Sequence, residues 1–84
     1  MISCSEYDYI EIVCLFRIPI RLVTDSAQVF EGRAKTTNYD HQRRECIVID
    51  TPCGDIQIPT STLVSMTALT DNPHFSEITF QQIS

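Results

Sequence analysis

The sequence predicts one small, mostly β domain: an N-terminal α-helix followed by five or six short antiparallel strands bent into a barrel. Three observations predict it. The 84 residues suffice for one domain with a modest core. From Ile18 onward, short apolar runs rich in β-branched residues recur between turn-forming clusters. Gly32, inside the longest of these runs, marks a sharp bend or a close backbone approach, as small barrels need at their corners.

Residues 3–16 carry the helix signal. Ser3 and Glu6 stand at capping-box spacing, where the hydroxyl takes an N-terminal amide and the carboxylate reaches back. Glu6 and Asp8 fall in the first turn, where carboxylates complement the helix dipole. Tyr7, Ile10 and Cys14 recur at helical spacing and form one apolar face. The β-branched Ile10, Ile12 and Val13 are stiff at χ1 and keep a strand reading open for the same stretch.

Pro19 lacks an amide proton and pushes Ile18 towards extended geometry, which ends the helix. Ile18, Ile20 and Leu22 alternate with Pro19, Arg21 and Val23 in a first strand ending near Thr24. Asp25-Ser26-Ala27 is a turn, and Gln28 to Thr37 is a long second strand. On it Val29, Glu31, Arg33 and Lys35 share one side; Phe30, Gly32, Ala34 and Thr36 share the other. A polar loop, 38–42, precedes the strongest strand, Arg44 to Thr51. Thr51-Pro52-Cys53-Gly54-Asp55 is a turn. A fourth strand around Ile56 and Ile58 ends at Pro59 or lies at an edge. After a helical turn at 61–63, a fifth strand spans Val64 to Thr70 with Val64, Met66 and Ala68 together. Asp71-Asn72-Pro73-His74 turns the chain into a sixth strand, Glu77 to Gln82, with Ile78 and Phe80 inward. The whole of residues 1–84 is thus expected to form a single Sm-like domain, helix 3–16 and barrel 18–82, with an OB-type barrel as the competing architecture.

Charge is unevenly spread over the net −5. Residues 1–16 hold Glu6, Asp8 and Glu11 and no base. Residues 17–44 hold Arg17, Arg21, Arg33, Lys35, Arg43 and Arg44 against Asp25, Glu31 and Asp40. Residues 45–84 hold Glu45, Asp50, Asp55, Asp71 and Glu77 and no base. An acidic protein repels nucleic acid and is drawn to basic surfaces. The basic middle offers one RNA-binding alternative, an Arg33, Lys35, Arg43 and Arg44 surface; cross-strand pairing with Glu31 and Glu45 is the simpler account of those bases.

Catalytic chemistry is not signalled. No nucleophile elbow, zinc-protease helix or phosphate-binding glycine loop is present. The four cysteines, Cys4, Cys14, Cys46 and Cys53, form no C-x-x-C pair and are not spaced with His41 or His74 as metal ligands. No apolar run is long enough to span a bilayer, and no signal-peptide pattern opens the chain. These features point to a cytoplasmic, non-enzymatic binding protein without cofactor or metal, its thiols reduced, although four cysteines would by count allow two disulfides.

Ile2-x-Cys4-x-Glu6-Tyr7-Asp8-x-Ile10-Glu11-x-x-Cys14 resembles the opening motif of the Rho-binding antiterminator (Rof) family. The likeness continues through Ile20-x-Leu22, Gly32-x-Ala34 and Glu45-Cys46-Ile47-Val48, covers residues 2–64 and weakens after Leu63. Ser5 stands where the family pattern is acidic, and the first hairpin, Asp25-Ser26-Ala27-Gln28, is not a glycine turn. The resemblance implies a helix before an Sm-like barrel. It also implies an inhibitor of Rho-dependent transcription termination that binds the hexameric ATPase Rho around its primary RNA-binding site. Glu6, Asp8 and Glu11, with Tyr7 or Tyr9 nearby, are the implied contacts. No direct contact with nucleic acid or membrane is expected, and the free protein is expected to be monomeric.

Overall fold

The computed structural model describes the backbone of residues 4–80 and the side chains of residues 7–80. Helix α1 spans Cys4–Leu15. The strands are β1 (Pro19–Thr24), β2 (Val29–Tyr39), β3 (Glu45–Thr51), β4 (Gly54–Pro59), β5 (Leu63–Ala68) and β6 (Glu77–Thr79). A single 3₁₀ turn, Thr60–Thr62, links β4 to β5. The Ser3 cap and the Glu6 side chain lie outside the described residues, as do Gln81 and Gln82 of the expected sixth strand.

All six strands form one antiparallel sheet in the order β4-β3-β2-β1-β5-β6. Its edges, β4 and β6, do not pair with each other among the described residues, so the expected barrel is a strongly bent, open sheet. Strand β2 makes the bend. Its first half, Val29–Arg33, pairs with β1, and its second half, Arg33–Tyr39, pairs with β3. Gly32 sits at the corner, where a Cβ would lie 2.6 Å from the carbonyl oxygen of Asp50.

Just beyond the corner, Lys35 is skipped in the β2–β3 register, forming a bulge. An extra residue reverses the inward–outward alternation that follows it. Ala34 is buried, but Thr36 is exposed and Thr37 turns inward, so the expectation that Thr36 shares a side with Ala34 is corrected. The same device corrects β5. The register slips between Val23 and Thr24, which pair with Ser65 and Leu63, and leaves Val64 bulged and 38% exposed while Leu63 and Met66 are fully buried.

Helix α1 ends on a doubled backbone clasp. The Ile18 amide donates to the Val13 carbonyl at 2.9 Å and the Arg17 amide to the Cys14 carbonyl at 3.3 Å. This is a Schellman ending with Arg17 in the left-handed region, φ 52°, where glycine is the usual occupant. Ala27 and Arg43 take the same conformation at the tips of the first two hairpins, with φ of 63° and 61°. Ala27 thus stands in the turn position that a glycine would otherwise fill.

One core joins the helix to the sheet. Ile10 and Val13 of α1 pack with Ile18, Ile20, Leu22, Ala34, Ile47, Ile49, Ile58, Leu63, Met66 and Phe80. Val13 was not among the residues expected to face the sheet, yet it is fully buried, whereas Tyr7 and Cys14 are half-buried at its flanks. The described cysteines Cys14, Cys46 and Cys53 are unpaired. No helix is long and apolar enough to cross a membrane among the described residues.

Candidate functional site

Burying Ile10 and Val13 fixes which side of α1 faces water. Asp8, Glu11 and Leu15 follow at i, i+3 and i+7 and form the outer stripe, all exposed. Leu15 is 75% exposed. Between this stripe and the bulged part of β2 runs an open groove of about 690 Å³. Ile12, Cys14 and Leu15 give it an apolar floor and rim, Asp8 and Glu11 its negative charge, and Lys35, Thr36 and Thr37 its far wall. Lys35 does not neutralise the helix; its Nζ is held 2.7 Å from Asp55. Asp8 and Glu11 make no ion pair among the described residues. Burial, and then the neighbouring Glu11 carboxylate, push the Cys14 thiol up to about 11, so it stays protonated and unreactive at neutral pH.

The two tyrosines are both held within the fold. The Tyr7 hydroxyl donates to a Glu45 carboxylate oxygen at 2.5 Å, tying the helix to the start of β3. Tyr9 meets Phe75 edge-to-face with ring centroids 5.8 Å apart. Phe75 comes from the loop before β6, in the tail that the sequence left without a role. Asn72 shapes that loop, its side-chain oxygen accepting the amides of His74 and Phe75. His74 in turn stacks on Phe16 just past the end of α1. The loop thus grips the helix at Tyr9 and the residue just past its end, Phe16. Only the Asn72-Pro73 turn signal was visible in the sequence, because the ring contacts join residues 66 and 58 positions apart.

Burial is the main cause that raises the Tyr7 phenol to about 12, followed by its bond to Glu45. Folding therefore holds the proton more tightly than the unfolded chain, whose tyrosine titrates near 10. The stabilisation is complete below about pH 10 and is lost as pH rises through about 12. Tyr7→Phe should flatten this alkaline segment of the stability profile, measured by urea unfolding between neutral pH and pH 12. Equal alkaline losses in both proteins would exclude Tyr7 as the titrating group.

The Arg33, Lys35, Arg43 and Arg44 surface does not come together. Arg33 lies at the β2 corner and donates to the Arg17 carbonyl at 3.0 Å. Arg43 and Arg44 lie past Tyr39, about 20 Å further along the strand path. Arg44 is paired with Asp40 at 2.7 Å. The Asp40 carboxyl is held below its usual range, chiefly by the Arg44 amide. The expected partners also change: Glu31 faces Arg21 at 2.6 Å, and Glu45 takes the Tyr7 phenol rather than a base. Among the described residues, no three His, Cys, Asp or Glu side chains could together hold a metal ion.

The comparisons fall on the family whose opening motif the helix carries. Residues 1–80 match the family model ROF, modulator of Rho-dependent transcription termination, so the likeness extends through the tail beyond Leu63. No curated protein matches the chain. Among solved structures, YaeO from Vibrio cholerae O395, determined bound to magnesium, is similar at 41% identity and a TM-score of 0.87, over 89% of this chain and 97% of that one. With the family model covering nearly all of its length and a relative of this identity sharing its fold, the chain belongs to the ROF family of modulators of Rho-dependent transcription termination.

Proposed function

We propose that the protein inhibits Rho-dependent termination by binding Rho through the outer face of α1 and occluding its RNA-binding site. The observation that carries this reading is the groove beside α1, where Asp8 and Glu11, without an ion pair among the described residues, stand above the apolar Ile12 and Leu15. A surface built to bind RNA offers basic and aromatic groups. Carboxylates on a rigid helix can meet those groups as phosphate mimics, with directional Arg–carboxylate bonds. Exposed ion pairs are individually weak, so the adjoining apolar rim is needed as an anchor. Glu6 joins the acidic set by sequence. Tyr7 and Tyr9 serve the site by holding the helix, Tyr7 through Glu45 and Tyr9 through Phe75.

The test is Asp8→Lys with Glu11→Lys. Both positions are exposed, so the double variant should melt like the parent. Its affinity for Rho should fall at least about tenfold, as two attractive contacts become repulsive. Fluorescence anisotropy with labelled protein measures that affinity, and a termination assay follows inhibition. A folded double variant that still inhibits at full strength would show that the acidic face is not the contact. Simultaneous binding of pyrimidine-rich RNA and this protein to Rho's primary site would rule out occlusion.

A further inference from the structure

A second concavity of about 420 Å³ lies past the C-terminal end of α1 and shares no residue with the acidic groove. Phe16, Arg17, Arg33 and His74 line it. Phe16 is 57% exposed and stacks on His74 with centroids 5.1 Å apart and planes 22° from parallel. Arg17 and Arg33 are joined by the bond from the Arg33 guanidinium to the Arg17 carbonyl. Neither guanidinium has a carboxylate partner among the described residues, although Arg21, Lys35 and Arg44 all do.

Arg17 occupies a left-handed helix ending that glycine would fill with less strain. Backbone strain of this kind is concentrated at functional sites. From this juxtaposition of a stacked aromatic pair and two unpaired guanidiniums, we infer that the surface binds single-stranded RNA, with a base on the Phe16–His74 stack and its flanking phosphates on Arg17 and Arg33.

The chemistry favours a nucleic-acid strand over the other anionic ligands. An acidic peptide would satisfy the guanidiniums but has no flat face for the ring stack, whereas every base has one. A free nucleotide needs an enclosed site with buried polar groups, and this concavity is shallow and its cations exposed. Asp71 lines the same concavity and opposes the phosphates, as does the net charge of −5. The interaction is therefore weak and strongly dependent on salt. Two neutralised phosphates give a single-strand salt slope of about −1.4, or roughly sevenfold weaker binding from 50 to 200 mM salt.

The experiment is an amide NMR titration of the intact protein with a cytidine hexaribonucleotide at 50 mM salt, without Rho. It is therefore independent of the Rho-binding reading. Saturable shifts should centre on Phe16, Arg17, Arg33 and His74 and weaken about sevenfold at 200 mM salt. Arg17→Gly should melt at a higher temperature yet bind several-fold more weakly, Phe16→Ala should also bind more weakly, and Asp71→Asn should bind more tightly. Absence of saturable shifts, or shifts centred elsewhere, overturns the proposal. A poly-glutamate peptide that shifts the same amides as strongly as the RNA also overturns it and identifies an acidic-protein surface instead.

Discussion

Ile10→Ala is expected to destabilise the protein by about 2–5 kcal/mol, the range for removing a fully buried aliphatic side chain and leaving a partly relaxed cavity. Ile10 has no exposed surface and lies in the middle of α1, where it joins the helix to the sheet core. An 84-residue domain has a total stability of about 4–13 kcal/mol at typical values per residue, so this one change could remove most of it. Ile10→Val should cost only about 0.5–1.5 kcal/mol. Urea unfolding followed by far-ultraviolet circular dichroism measures both. A midpoint for Ile10→Ala equal to that of the parent would mean that Ile10 does not anchor α1 in the core. The acidic stripe would then be oriented only by the Tyr7–Glu45 bond and the ring contacts of Tyr9 and Phe16, without the burial of Ile10 that helps to turn Asp8, Glu11 and Leu15 outward.

The order of elements was legible because each rests on local chemistry. Pro19 stops the helix, Ile18, Ile20 and Leu22 alternate, and Pro59 closes β4. The inward set of α1 was only half legible. Ile10, Ile12, Val13 and Leu15 put apolar groups on several sides of the helix, so spacing alone selected Cys14 where the structure buries Val13 more deeply. That ambiguity has a functional counterpart: Ile12 and Leu15 are the apolar residues left over for the groove.

What sequence periodicity missed is non-local. The bulges at Lys35 and Val64 depend on the register of a neighbouring strand, and no residue in either strand announces them. Charge was misassigned for the same reason. Arg33, Lys35, Arg43 and Arg44 were expected to pair with Glu31 and Glu45, their neighbours in sequence, with one shared basic surface as the alternative. Folding gives Lys35 to Asp55 and Arg44 to Asp40, leaving Arg33 beside Arg17 at the β2 corner. Among the described residues, Asp8 and Glu11 of α1 avoid such neutralisation, since Lys35, the base that lines their groove, is held by Asp55.

Gly32→Ala should destabilise the protein by about 1–3 kcal/mol or more, as expected for overpacking against atoms that cannot rotate away. The added methyl would lie 2.6 Å from the Asp50 carbonyl oxygen and 3.0 Å from the Thr51 methyl. The Thr51 side chain can move, but the Asp50 oxygen is backbone and moves only with β3. Gly32 does not have a positive φ, so the cost is steric. Gly54 supplies the contrast. It lies in the β3–β4 turn with φ 111° and open space around its missing Cβ, so Gly54→Ala brings backbone strain confined to that turn. Guanidinium unfolding gives the two losses, and amide NMR spectra separate their causes. Gly32→Ala should displace resonances across the β2 corner and β3, reaching the Lys35 bulge that walls the acidic groove. Gly54→Ala should displace only the turn. Unchanged stability and spectra for Gly32→Ala would mean that the β2–β3 approach is looser than this geometry and that the sheet bends by another device.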